Sequence, residues 1–342
     1  MALMMPIMML IMNGITLLIV WVGAHQVSEG AIQVGDMMAF IQYAMQIIMS
    51  FLMISMVSIM LPRATVSVER IGEVLDCETM IRDRENPKGF DEGKKGLVEF
   101  RDVSFRYPGA QEDVLSGIRF TAKPGQTTAI VGSTGSGKTT LVNLIPRFYD
   151  VTEGRILVEG TDIREVSSHD LREKIGYIPQ KAVLFSGTIE SNLTYGVQEA
   201  SEEELKKAVE IAQASEFIET KPEGYSANIS QGGMNVSGGQ KQRLSIARAL
   251  VKKPEIYLFD DSFSALDFKT DAKLRKALKE ETGGSTVIIV AQRISTVMQA
   301  DLIIVLDEGK VVGEGTHREL LTTCEVYRQI ALSQLSKEEL SK

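Results

Sequence analysis

The first 62 residues contain neither lysine nor arginine. That absence removes the positively charged start of a secretory leader. Cysteine is nearly missing too. Cys77 and Cys324 lie far apart and match no metal-ligand spacing, so they read as ordinary packed or surface thiols. No basic excess is available to hold nucleic acid, because 45 acidic residues outnumber 37 basic ones and the net charge is −8. Histidine occurs only at His25, His169 and His317. What the beginning has instead is methionine, thirteen of the sixteen in the chain. The mean hydropathy of +0.02 thus averages an apolar head with a charged, soluble-looking body. At 342 residues there is room for two domains.

Residues 3–24 form an apolar run interrupted by Pro6, Asn13 and Gly14. Residues 37–61 form a second, with Gln42, Gln46, Ser50, Ser55 and Ser58 as its polar members. Each is long enough to cross a bilayer core of about 30 Å. Between them, His25 to Asp36 reads as a short loop carrying Glu29 and Asp36 but no cation. Arg63 and Arg70 come directly after the second run, which places the loop outside and everything from Arg63 onward in the cytoplasm. The reading is a hairpin of a multi-pass protein in the cell membrane, with the lipid bilayer as a partner. Gln42, Gln46 and Ser50 share one helix face; they line a substrate cavity or hydrogen-bond to neighbouring helices. Residues 62–75 read as a helix leaving the membrane, so the membrane part is 1–75. Residues 76–96, about half charged and containing Pro87, Gly89, Gly93 and Gly96, read as a linker.

From Leu97 the pattern changes. Residues 98–105 alternate, Tyr107-Pro108-Gly109 is a turn, and 118–122, 127–131, 156–158, 175–178, 256–259, 286–291 and 302–306 read as further strands. Residues 202–214 have helical spacing with an acidic start, as a helix N-terminus favours. Residues 333–342 look like a frayed helical tail. Continuous apolar runs alternating with helices imply an α/β fold, a mostly parallel sheet covered on both faces.

Gly132-Ser133-Thr134-Gly135-Ser136-Gly137-Lys138-Thr139-Thr140 fits G-x-x-x-x-G-K-[ST] between a buried strand and a helix. Glycines let the backbone curl until successive N–H groups point at a triphosphate, and the helix N-terminus adds a favourable field. Lys138 would meet the β- and γ-phosphates, and the Thr139 hydroxyl would sit on Mg²⁺.

Further elements follow in fixed order. Ser237-Gly238-Gly239-Gln240 opens a helix that continues Lys241-Gln242-Arg243-Leu244-Ser245-Ile246-Ala247-Arg248-Ala249-Leu250. Leu258-Phe259-Asp260-Asp261 is an acid-tipped strand, and Ser264-Ala265-Leu266-Asp267 comes at once after it. This set resembles the ATP-binding cassette (ABC) transporter family over residues 97–332. The upstream hairpin is similar to the last two spans of an exporter half. The resemblance implies the P-loop NTPase fold of an ABC cassette, a mixed sheet core plus a helical subdomain, preceded by an all-α two-helix membrane segment. It also implies ATP and Mg²⁺ as ligands and ATP hydrolysis coupled to export. Tyr107 looks like the aromatic that stacks on adenine. Gln180 is similar to the glutamine that touches Mg²⁺ and senses the membrane domain, and Asp260 would hold Mg²⁺ through water. Residues 184–189 lie where exporters receive the cytoplasmic loops of the spans. Ser237 and Gly239 would contact the γ-phosphate of the ATP bound to the opposite subunit, because two cassettes of this family sandwich two nucleotides; Gly238, Gln240 and Asp267 join them as implied nucleotide-binding residues.

Two departures bear on catalysis. Asp261 stands where the family carries a glutamate, and one fewer methylene draws the carboxylate back by about 1.5 Å. Gln292, in Ala291-Gln292-Arg293, stands where the family has its switch histidine and cannot become cationic near neutral pH. Gln231 replaces a further glutamate. Together they resemble the slow half of a heterodimeric exporter, with weak activity of its own. The alternatives are a self-sufficient homodimer and a membrane-tethered ATP-binding regulator. Exporter halves of this type have six spans and this chain has two, so the expectation is a C-terminal portion of such a half, or a reading frame taken to start at an internal Met1. The exported cargo, whether small molecule, lipid or peptide, is not legible in these residues.

Overall fold

The computed structural model of the chain describes residues 4–335; most of the expected tail, from residue 336 onward, lies outside them. Two compact units form, one ending at Met80 and one beginning at Ile81. The first consists of α1 (Met4–Ser28) and α2 (Val34–Leu75). Both are long and apolar enough to cross a membrane, with mean hydropathies of 2.2 and 2.1 over an 18-residue stretch of each. Their large side chains point outward, Trp21 being 72% exposed and Met53 71%. Helices that satisfy their own backbone can carry such surfaces only into lipid or against other helices.

The hairpin loop is shorter than the sequence suggested. His25 belongs to α1, and Asp36 caps α2 by accepting from the Gln33 N–H at 2.9 Å. Nor does Pro62 mark a boundary: α2 runs through it unbroken. Of the expected polar face, Ser50 turns back to its own Gln46 carbonyl at 2.9 Å, while Gln42 and Gln46 are exposed.

The charged stretch from Ile81 is not a free tether. Asp83 accepts from the Ser168 hydroxyl at 2.6 Å, and the Lys88 and Asp91 amides donate to Glu165 and Glu159 carbonyls. After it come β1 (Val98–Phe105), β2 (Leu115–Ala122), β3 (Thr127–Gly132), α3 (Lys138–Leu144), β4 (Glu153–Val158), β5 (Thr161–Asp162), α4 (Ser168–Glu173) and β6 (Ile175–Ile178). A mainly helical insert holds α5 (Ile189–Leu193), α6 (Glu202–Ile211), α7 (Ser215–Glu219) and α8 (Gly238–Lys252), with β7 (Gly187–Thr188) paired to β8 (Asn228–Ile229). The helix expected over 202–214 stops at Ile211 because Gln213 turns left-handed, at φ 55°. The chain then returns as β9 (Ile256–Asp260), α9 (Phe268–Glu281), β10 (Thr286–Val290), α10 (Ile294–Val297), β11 (Leu302–Asp307), β12 (Lys310–Gly315), α11 (His317–Thr323) and α12 (Glu325–Gln334).

The central sheet has the order β12-β11-β3-β10-β9-β6, parallel except for the antiparallel edge strand β12. A separate antiparallel sheet, β2-β1-β4-β5, covers one face. Successive strand side chains point to opposite faces, and the core divides accordingly. Ile130, Leu258, Ile288 and Ile304 pack with the antiparallel sheet and α3, whereas Val131, Phe259, Ile289 and Val305 pack with α8, α9 and α12. The result is a mixed-sheet α/β core with a helical part. It brings the C-terminal ends of β3, β9 and β10 side by side, where α/β sheets bind ligands.

Candidate nucleotide-binding site

β3 delivers the chain at Gly132 into a loop that α3 ends. Close approach requires glycine at both of its limits. A Cβ on Gly132 would sit 2.1 Å from the Leu306 carbonyl oxygen; one on Gly137, at φ 95°, would sit 2.7 Å from Leu115 Cδ2. Lys138 is 9% exposed, and its Nζ donates to the carbonyls of Ser133 at 2.6 Å and Gly132 at 3.0 Å, and to the Ser136 hydroxyl at 3.4 Å. Burial pushes its pKa down, against the pull of Asp261 and Asp260. The loop therefore holds a cation among neutral oxygens, ready to exchange them for an anion's.

Asp260 ends β9 and accepts from the Thr139 hydroxyl at 2.9 Å. Burial raises its pKa, with that hydrogen bond opposing. The chain turns sharply at Asp261, which takes a left-handed φ of 47° and donates its N–H to the Val290 carbonyl. One carboxylate oxygen, Asp261 Oδ2, accepts from both Gln292 Nε2 at 2.8 Å and Gln180 Nε2 at 3.1 Å. Burial raises the Asp261 pKa as well. Thr134, Gly135, Gly137, Lys138, Thr139, Thr140, Gln180, Asp261 and Gln292 line one cavity of about 280 Å³.

The remaining candidate residues fall outside that cavity. Tyr107 stands beside the loop, its hydroxyl 3.0 Å from that of Thr140 and its ring edge-on to Phe105 and Tyr149. Ser133 donates to Asp307 at 3.4 Å. Ser237 caps α8: its hydroxyl accepts from the Gln240 N–H at 3.3 Å, and Gln240 Oε1 accepts from the Ser237 N–H at 2.9 Å. Gly238 and Gly239 form the first turn above that cap. Asp267 caps α9 through the Thr270 N–H at 3.0 Å, a bond that lowers its pKa. Gln231 is exposed at the start of a short turn. The fold thus gathers Lys138, Thr139, Gln180, Asp260, Asp261 and Gln292, and leaves Ser237 to Gln240 and Asp267 to cap their own helices.

Sequence reasoning read Tyr177 only as part of a strand. Its hydroxyl donates to Asn143 at 2.9 Å, and burial together with the nearby Asp260 charge raises its pKa. It braces α3 against β6 beneath the carboxylates. A second feature is a shelf outside the cavity. Phe185 and Tyr195 stack at 4.2 Å and are 43% and 64% exposed. Arg248 of α8 lies over both rings and donates to the Asn192 and Val183 carbonyls. The helix that begins at Ser237 is therefore wired to the loop around Phe185.

A hard cation fits the donor set of Thr139 hydroxyl, Asp260 carboxylate and Gln180 amide oxygen. Among the described residues no three His, Cys, Asp or Glu side chains converge to hold a metal ion.

Residues 115–264 match the model of the ABC transporter family. An uncharacterized ABC transporter ATP-binding protein of Mycobacterium tuberculosis is 48% identical over 336 residues, 97% of this chain and 57% of that protein. An ATP-dependent lipid A-core flippase of Desulfotalea psychrophila is 39% identical over 303 residues, 89% of this chain and 52% of the flippase. A bacterial Atm1-family ABC exporter solved with ATP bound is 34% identical, with a TM-score of 0.79 over 96% of this chain and 58% of that one. The chain spans a little over half the length of these relatives.

Proposed function

Because this chain is an ABC transporter ATP-binding domain fused to an N-terminal segment of two apolar helices, we propose that it serves as the slow, ATP-holding half of an exporter. Its helices sit in the cell membrane as part of a larger bundle. Its cargo belongs to the small-molecule, lipid or peptide classes. Its partner is a second, different half that supplies the faster site. The phosphate loop binds Mg-ATP, with Lys138 on the phosphates and Thr139, Asp260 and Gln180 around the metal. Bound Mg²⁺ supplies charge neutralisation for the phosphates.

The observation that carries the slow-site reading is the double acceptance at Asp261 Oδ2. A general base must reach its water. A short carboxylate held on one oxygen by two amides is restrained from doing so, and about 1 Å of misplacement costs on the order of a hundredfold in rate. Gln292 can donate a hydrogen bond to a γ-phosphate oxygen but brings no positive charge.

The test is ATP turnover in the assembled transporter. Asp261→Glu alone and Gln292→His alone should each change this site's rate by less than about threefold, and the pair together should raise it about tenfold or more, on the misplacement scale above. A homogeneous preparation of this chain hydrolysing at ordinary exporter rates would sink the proposal. One observation favours the alternative, a self-sufficient homodimer: burial raises the Asp261 pKa and so makes its carboxylate a better proton acceptor. In that case Asp261→Asn should abolish transport when no second cassette is present.

A further inference from the structure

We infer that Gln334, the last residue of α12, is a positioning residue that fixes the Gln292 segment and thereby sets the preference for ATP over ADP. The inference rests on the reading that Gln292 meets the γ-phosphate. Residues 291–293 connect β10 to α10, which begins at Ile294. Their backbone leaves the sheet before it enters the helix, and the first N–H groups of a helix have no partner within it. Arg293, at the cap position of α10, supplies no side-chain cap. The missing bonds come from elsewhere in the chain. Gln334 Oε1 accepts from the Ile294 N–H at 2.8 Å, and Gln334 Nε2 donates to the Gln292 carbonyl at 2.8 Å. A single amide thus bridges both sides of Arg293.

The anchor behind this bridge is packed into the core. Tyr327, Ala331 and Gln334 recur at i, i+4 and i+7 and so share one face of α12. Tyr327 and Ala331 are fully buried, and the Tyr327 hydroxyl lies 2.7 Å from His317 Nδ1. From the other side, Arg275 of α9 donates to the Ser295 carbonyl at 3.0 Å. Downstream of the bridge, the Gln292 side chain reaches Asp261 Oδ2, which Gln180 also holds. A line of amides therefore connects the C-terminal helix to the cavity. Neither Gln334 bond reaches the phosphate loop, Gly132 to Thr140, so its loss should be felt only where the γ-phosphate would lie.

The experiment measures Mg-ATP and Mg-ADP affinities in membranes containing the assembled transporter. Gln334→Ala should lower the ATP-over-ADP preference at this site about 3- to 10-fold, the worth of one or two ordinary hydrogen bonds, with ADP affinity within about twofold. Gln334→Met keeps the length and packing of the side chain but neither bond, and should do the same. In a Gln292→Ala background, Gln334→Ala should add nothing, because the two act through one segment. If Gln292→Ala lowers the preference and neither Gln334 variant does, the positioning role is overturned while the proposed function stands. If Gln292→Ala itself leaves the preference unchanged, the γ-phosphate reading fails and this inference goes with it. Equal losses for ATP and ADP would reduce Gln334 to helix packing and likewise overturn it.

Discussion

Lys138 shows how one side chain is prepared for a ligand. Its ammonium is buried, burial pushes it toward neutrality, and its hydrogen bonds go to two carbonyls and a hydroxyl. Each of those acceptors is weaker than a phosphate oxygen, because hydrogen bonds between charged partners are roughly twice as strong as neutral ones. Replacing the side chain should therefore damage binding far more than folding. Lys138→Ala is expected to raise the Kd for Mg-ATP by about a hundredfold, since one or two charged hydrogen bonds at about 1.5–3 kcal/mol each are lost. The melting temperature should move by only a few degrees. Titration calorimetry alongside a thermal melt checks both halves, and an affinity within about threefold of the wild type would count against the assignment. Asp261 is the complementary case: besides its short side chain, what matters is its left-handed φ and the oxygen it presents to two amides. Neither feature can be read from Asp260-Asp261 as letters, because backbone conformation at a strand end is decided by what packs around it.

The elements meet at a joint that titrates. Glu159, just past β4, and Glu255, just before β9, share Lys174 at 3.0 and 2.9 Å, and Lys95 lies 3.2 Å from Glu255. Burial raises the pKa of Glu159, and its hydrogen bond to Glu255 raises it further, while the Gly96 N–H and Lys174 oppose. Burial also works against the charge on Glu255, yet hydrogen bonds from Glu159, Lys174 and Lys95 hold it at about 2. The two carboxyls therefore act on stability with opposite signs. The folded chain keeps a proton on Glu159 to a higher pH than the unfolded chain does. Its contribution is complete in acid and is lost as pH rises through the folded value. Glu255 contributes above the ordinary carboxylate range and loses its effect as pH falls toward about 2. Melting curves at pH 7 should show Glu255→Gln less stable by on the order of 1–2 kcal/mol. Glu159→Gln should be unchanged or more stable at pH 7, with its difference from wild type shrinking toward pH 4. Equal losses for both variants would refute the shared-proton picture.

Elements were legible in proportion to how local their causes are. Residues 256–259, 286–291 and 302–306 are continuous apolar runs, and only a sheet dry on both faces accepts them. β12 was not foreseen, because Lys310-Val311-Val312-Gly313-Glu314-Gly315 mixes charge with glycine, and an edge strand needs only one dry side. The second apolar run and the exit helix over 62–75 are one helix, α2, which carries Pro62 in its interior. The phosphate loop was legible because its chemistry lies in consecutive residues. The bridge from Gln334 was not, because 42 residues separate it from the carbonyl it holds.

At the scale of the whole molecule, the proposed function asks two helix N-termini to meet anions, and one chain does not bring them to one cavity. The first, at Gly137 and Lys138, lines the 280 Å³ space with Asp261 and Gln292. The second begins at Ser237, whose hydroxyl is committed to the Gln240 N–H, and none of Ser237 to Gln240 lines that space. A helix N-terminus that is exposed, glycine-lined and free of acidic side chains in its first turn fits a phosphate brought by another subunit. Gly238 offers a clean way to test this. A Cβ there meets nothing within 4 Å and its φ is not positive, so aspartate fits without strain. In the isolated chain the new carboxylate should help, because acidic groups in a first helical turn contribute about 0.3–1 kcal/mol and a helical glycine is removed. In the assembled transporter the same carboxylate would face a γ-phosphate at close range. Gly238→Asp is therefore expected to hold or raise the melting temperature and leave Mg-ATP binding at this chain's own loop within about twofold. ATP turnover of the assembly should fall about tenfold or more, as 1.4 kcal/mol of repulsion already produces. Turnover that survives the substitution would mean that Ser237 to Gln240 serve α8 alone. Loss of ATP binding at this chain's own loop would mean that the two anion sites act on the same nucleotide.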